Sequence, residues 1–200
     1  MEPLDLTSLK ASASSIDKKK AIKFEMKVDG DLSRDALLAA ATDMNSAELK
    51  FVVRWFSGYR PDYIVANYDV ASDSFTFSKG NLRQVDCETT EEGRLEIYPA
   101  PPLDRGNPIP GKVDPLKGTI TMRVPYDHIQ DYDLNKNHLK QFAPVSDALS
   151  GDPIWEVTAF TFGRPQEGQP QQGPGGEPIC PVNDYYNQAD STASFDYKLP

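Results

Sequence analysis

Lys112-Val113-Asp114-Pro115-Leu116-Lys117-Gly118-Thr119-Ile120-Thr121-Met122-Arg123-Val124-Pro125 joins a turn signal to a strand. Ile120, Met122 and Val124 alternate with Thr119, Thr121 and Arg123, so one face meets an apolar core and the other meets water. The same period of two recurs upstream. Ile22, Phe24, Met26 and Val28 share one face, Lys23, Glu25 and Lys27 share the other, and Asp29-Gly30-Asp31 turns the chain. This recurrence predicts an all-β fold, a two-layer antiparallel β-sandwich of jelly-roll or immunoglobulin-like type with about 10 strands and one short helix.

Working outward, Leu4–Leu9 reads as a first edge strand, and Ser12, Ser14, Ser15 and Asp17 read as a polar turn. Ser33 is placed to cap a helix over 33–43 that turns Leu37, Leu38 and Ala41 toward the body. In 49–56, Phe51, Val53 and Trp55 lie on one side and Val52 and Phe56 on the other, which predicts a central strand covered on both faces. Strands are expected at 63–70, 74–78, 84–88, 94–98 and 154–162, with a proline-rich connector over 99–110. A short helix is expected near 134–142. Trp55 and Trp155 both read as core residues. The organisation predicted is a sandwich over 1–162, a Gln/Gly/Pro-rich linker-like loop over 163–178, and a tail over 179–200. Phe195, Tyr197 and Leu199 alternate within that tail as a strand returning to the sheet.

The chain has 200 residues, 38% of them hydrophobic and 26% charged, enough to bury a two-layer core. Its 17 prolines and 13 glycines fall mostly between the alternating segments, as short strands joined by turns require. A net charge of -9 argues against a nucleic-acid partner, because phosphate contacts need a basic surface. No apolar run approaches the roughly 20 residues that span a bilayer, so no membrane insertion is expected. Met1-Glu2-Pro3-Leu4-Asp5 lacks the basic start and apolar stretch of a signal peptide, which reads either as a cytoplasmic chain or as a segment beginning inside a longer secreted precursor. Cys87 and Cys180 are too far apart for a CxxC site, leaving two separate thiols or one long-range disulfide. A bridge would staple the tail that follows the Gln/Gly/Pro tract and contribute on the order of 4 kcal/mol. The disulfide, and with it an extracellular setting, is the expectation.

Leu4-Asp5-Leu6-Thr7-Ser8-Leu9, Ile22–Val28, Val52-Val53-Arg54-Trp55, Tyr63-Ile64-Val65-Ala66, 111–125 and Val157-Thr158-Ala159-Phe160-Thr161 follow one another in an order that resembles a known group. It is similar to the β-sandwich accessory domains of bacterial secreted proteins, notably the C-terminal regions of some subtilisin-like proteases, and to the DOMON and family-nine carbohydrate-binding type of sandwich. The resemblance covers roughly residues 4–162 and implies an extracellular, non-catalytic module. The helix region at 35–46 and the Gln/Gly/Pro tract depart from that pattern, and no ligand residues carry over from it.

The sequence holds no Gly-x-Ser-x-Gly elbow, Walker loop, Gly-x-Gly-x-x-Gly or His-Glu-x-x-His. His128 and His138 lie in a polar segment and read as solvated. Acidic residues are too numerous for any pair to single out a glycosidase. Asp131, Asp133 and Asn135 space oxygens as the first half of an EF-hand does, but Lys136 replaces the turn glycine and Phe142 the bidentate glutamate. What stays open is a looser Ca²⁺ site or a solvated loop with local Asx turns. Asp29, Asp31 and Asp35 form a second acidic cluster, set against a turn and an acidic first helical turn. Tyr59, Tyr63 and Tyr126 are the ring candidates for sugar contact, set against ordinary loop or anchoring tyrosines. The function expected is a non-catalytic extracellular accessory or interaction module of a larger secreted bacterial protein. Its partners would be neighbouring domains of the same polypeptide or a surface or glycan ligand. The alternative is a carbohydrate-binding module with a structural Ca²⁺.

Overall fold

The computed structural model describes residues 3–56, 61–81, 107–126, 153–165 and 187–199. In chain order these form β1 (Leu6–Ile16), β2 (Lys19–Val28), α1 (Arg34–Asp43), β3 (Ser46–Phe56), β4 (Pro61–Asp69), β5 (Ser74–Asn81), β6 (Asn107–Pro108), β7 (Gly111–Asp114), β8 (Thr119–Pro125), β9 (Pro153–Pro165), β10 (Asn187–Ser191) and β11 (Phe195–Lys198). The strands make two antiparallel sheets. The smaller runs β1-β2-β8-β7; the larger runs β10-β9-β3-β4-β5-β6, with β11 also on β9. The sandwich read from the alternation is therefore present.

The apolar faces predicted for β2 and β8 meet as expected. Phe24 lies opposite Met122 and Met26 opposite Ile120, and all four are buried with Ile22, Val28 and Val124. Against them the larger sheet turns Phe51, Val53 and Trp55 of β3, Ile64 and Ala66 of β4, and Val157 and Ala159 of β9. Phe24 stacks on Trp55 across the gap, with ring centroids 5.3 Å apart. Val52 on the opposite face of β3 is also buried, in a second cluster with Tyr63 and Val65, so β3 is covered on both faces and central in its sheet.

Contacts near two edges join the sheets. At one side the Leu6 amide donates to Asp190 Oδ2 (2.6 Å) and Thr161 Oγ1 donates to the Leu4 carbonyl (2.8 Å). At the other, the chain passes from β6 in the large sheet to β7 in the small one. There the Ile109 amide donates to the Phe77 carbonyl and the Arg123 amide donates to the Pro110 carbonyl. Gly111 lies so close to the Phe77 ring that a Cβ would overlap it. The helix α1 follows β2 and buries Leu37, Ala40 and Ala41, while Leu38 is only half-buried. Ser33 caps it, its hydroxyl accepting from the Ala36 amide. No helix among the described residues is long and apolar enough to cross a membrane.

Two expectations change. The stretch from Ser12 to Ser15 is strand, not turn: β1 continues to Ile16, and the reversal falls at Asp17 and Lys18, both with positive φ (49° and 69°) as a two-residue type I′ hairpin requires. Pairing of Ala13 with Ile22 and Ala11 with Phe24 along a well-formed β2 outweighs the weak strand preference of serine and alanine. Trp155 is 42% exposed while Trp55 is fully buried. The reason is a β-bulge. Glu156 has φ 50°, and the pairing with β3 shifts register between Arg54 and Phe56. Ile154 and Val157, three apart, consequently both point inward, and Trp155 and Glu156 are left outside.

The 118 position of the β7–β8 turn tests the local geometry. Gly118 is left-handed (φ 57°), and a Cβ there would overlap the Gly30 carbonyl oxygen. Gly118→Ala is expected to cost at least about 2 kcal/mol in urea unfolding, from the left-handed penalty plus that overlap. A second test uses pH. Burial, reinforced by the 2.7 Å bond that the Tyr68 hydroxyl donates to Asp73 Oδ1, pushes the Tyr68 phenol up to about 12. Burial also raises Tyr126 and Tyr197. A phenol raised in the folded state contributes stability that is whole below pH about 10 and lost as pH climbs toward the folded value. Urea midpoints should therefore fall above pH about 10, and Tyr68→Phe should flatten part of that fall.

Candidate functional site

Because Ile22, Phe24, Met26 and Val28 point inward, Lys23, Glu25 and Lys27 point out; likewise Thr119, Thr121 and Arg123 on β8. The registers arrange these side chains in rows across the outer face of the small sheet. Lys10, Glu25, Thr121 and Lys112 form one row, Ser12, Lys23 and Arg123 the next, and Ser8, Lys27, Thr119 and Asp114 the third. Lys23 thus stands directly opposite Arg123, a like-charge cross-strand pair of the kind that weakens a sheet.

Lys23 Nζ reaches Glu25 Oε2 at 3.3 Å. Lys10, Lys27, Lys112 and Arg123 are exposed, and among the described residues no carboxylate pairs with them. The hairpin tip adds exposed Lys18, Lys19 and Lys20. In a chain of net charge -9, this face is basic.

Along β1 the face meets an open groove of about 410 Å³. Lys10, Ser12, Lys23 and Glu25 form its polar side; Leu9, Ala11 and Phe195 form its apolar side. The groove exists because β1 carries small residues from Ala11 to Ser15, leaving the neighbouring Lys23 and Phe195 uncovered.

The outer face of the large sheet carries a different polar set. Lys50 Nζ, almost wholly buried, lies 3.4 Å from Glu48 Oε2. The Arg54 guanidinium lies 4.9 Å from the centroid of the Phe160 ring; its pKa falls below the ordinary value through burial, opposed by the Glu156 carboxylate. Phe160 and Phe162 flank the Val52, Tyr63 and Val65 cluster, so this surface is packed with aromatic and aliphatic groups.

The residues singled out from sequence are distributed as follows. Tyr63 is 2% exposed within that cluster, and Tyr126 is buried in the inter-sheet core, so neither ring faces solvent. Tyr59, Asp131, Asp133, Asn135, Cys87 and Cys180 lie outside the described residues, as do the strands expected at 84–88 and 94–98 and the helix near 134–142. Asp31 serves the helix start: its Oδ1 accepts from the Ser33 amide (3.0 Å) and hydroxyl (2.6 Å), which hold its carboxyl below the usual range, and Asp35 lies in the first helical turn. Among the described residues no three His, Cys, Asp or Glu side chains gather as a metal site. Sequence reading found the outward positions of Lys23, Lys27 and Arg123 but not their grouping. The antiparallel register of β2 on β8 supplies it, and each alternating strand gives only its own half.

Comparison with protein-family models, with curated proteins and with solved structures finds no match to this chain.

The buried pair on the large sheet gives a stability test. Glu48→Gln removes the carboxylate beside a buried ammonium and should cost about 3 kcal/mol in denaturant unfolding. Adding Lys50→Met to that variant should recover most of the loss, because a buried pair replaced by apolar volume is close to neutral.

Proposed function

We propose that this chain is a non-catalytic interaction module, an accessory part of a larger exported protein, that engages an anionic partner through the outer face of its small sheet. The observation that carries the reading is an excess of cations on this face: Lys10, Lys27, Lys112 and Arg123 are exposed and make no ion pair among the described residues, Lys23 is held opposite Arg123, and Glu25, across from Lys10, is bound to Lys23. A sheet selected for stability alone would place opposite charges across from one another. Here two cations face each other at the centre of the face, Glu25 answers Lys23, and an anionic partner would answer Arg123. The field of such a patch steers an anionic partner toward it despite the acidic whole.

The sandwich suits that work. The inward residues of β2 and β8 are locked in the core, so the outward cations are held on a rigid, pleated surface. The extracellular setting stays attached to the expected Cys87–Cys180 bridge.

A fluorescein-labelled poly-glutamate peptide should bind the wild-type chain at low salt, and affinity should fall as salt is raised. Lys23→Glu/Arg123→Glu, both at outward positions, should leave the thermal midpoint within a few degrees and weaken binding at least about tenfold. Binding that ignores the double reversal, or no binding at low salt, would defeat the reading.

A further inference from the structure

β1 is the terminal strand of the small sheet, and its backbone shows which groups it leaves over. The Val28 amide donates to the Gly118 carbonyl, so the even-numbered residues of β2 direct their peptide groups toward β8. The odd-numbered ones face β1. Glu25, Lys23 and Ala21 pair there with Lys10, Ser12 and Ser14. The peptide groups of Leu9, Ala11 and Ala13 consequently point away from β2, toward the open edge, and no described residue bonds to them. Nearer its start the same edge is closed, by Asp190 on the Leu6 amide and by a register shift between Leu6 and Ser8. The open part is the stretch that borders the groove.

Three features therefore coincide along a few residues: strand-edge donors and acceptors that no described residue pairs, an apolar wall of Leu9, Ala11 and Phe195, and a polar wall on which Lys10 and Lys23 outnumber the single carboxylate of Glu25. A strand laid beside β1 would send alternate side chains to those two walls, because its own period is two. We propose that β1 accepts an extended partner peptide of alternating apolar and acidic residues as a fifth strand of the small sheet. Its acidic side chains meet Lys10 and Lys23, and its apolar side chains fill the groove against Phe195. This is strand addition: main-chain bonds give affinity and the two walls give specificity.

The proposal rests on the interaction-module reading and names the partner of that face. Charge complementarity selects the occupant. A second copy of this chain would bring two more lysines, Lys10 and Lys23, against one more Glu25, and the net like charge opposes that pairing.

The probe is a fluorescein-labelled Val-Glu-Val-Glu-Val-Glu-Val peptide, with the Val-Lys alternate as its control, read by anisotropy on the full chain. Ala11→Pro removes an edge donor that β2 does not use, so the variant should fold with an unchanged near-ultraviolet spectrum. It should bind the Val-Glu peptide at least about tenfold more weakly, as should Lys10→Glu, and the Val-Lys peptide should bind poorly to wild type. Amide hydrogen exchange on the wild-type chain needs no variant: Leu9, Ala11 and Ala13 should exchange freely alone and slow when the peptide is added.

Binding lost in Lys10→Glu but kept in Ala11→Pro would overturn strand addition while leaving the basic face as a charge-driven surface. Absence of any Val-Glu binding would overturn it too, even if poly-glutamate still binds. Slow exchange at the three amides before peptide is added would mean another segment of the chain already fills the edge. A concentration-dependent dimer that Ala11→Pro abolishes would make the occupant a second copy. Either result rejects the acidic-peptide partner.

Discussion

Everything in this molecule depends on one apolar seam, the layer in which Phe24, Met26, Ile120 and Met122 of the small sheet press on Phe51, Val53, Trp55 and Ile64 of the large one. Each fully buried side chain of this size contributes roughly 1.5–3 kcal/mol on leaving water. The seam also fixes orientation. A one-residue slip of β2 would send Lys23 and Lys27 inward, at a cost the sheet could not meet, so the register is strongly specified. The basic face is the reverse side of that constraint.

The edges are finished by different devices. On the side of β5 and β7, the chain itself crosses between sheets at Ile109 and Pro110 and seals the gap with two backbone bonds. On the other side, β10 and β11 take successive lengths of the β9 edge, and Thr192 bridges the interval by exchanging bonds with Ala159. Among the described residues, β1 is closed only at its beginning. An open edge is a liability in any sheet, and Lys10 beside it is the usual deterrent to indiscriminate pairing. Selective and deterrent roles are compatible: the same cation that repels most strands attracts an acidic one.

Much of this was legible in the residues. The Ile22–Val28 and Ile120–Val124 alternations each had one strong period, and both strands formed with the faces assigned to them. Ser33, followed by an acidic first turn, marked the helix start for a local reason that tertiary packing had no cause to override. Three things were not legible. The Ala-Ser run of β1 carries no hydrophobic signal and became strand only because β2 offered a complete ladder. The displacement of Trp155 required a positive φ at Glu156, a residue with no preference for one. The basic face needed the pairing of strands distant in sequence, because Lys23 and Arg123 become neighbours only through register.

The position of β3 has a consequence for how the chain reaches this state. β4 follows it closely, whereas its other neighbour, β9, begins at Pro153. Nascent β3–β4 ribbons must hold one flank of their most apolar strand unpaired until a long stretch of chain has closed back on it. High contact order of this kind slows folding and leaves adhesive intermediates in solution. Yield on refolding should thus be governed by dilution and temperature more than by the final stability of the sandwich.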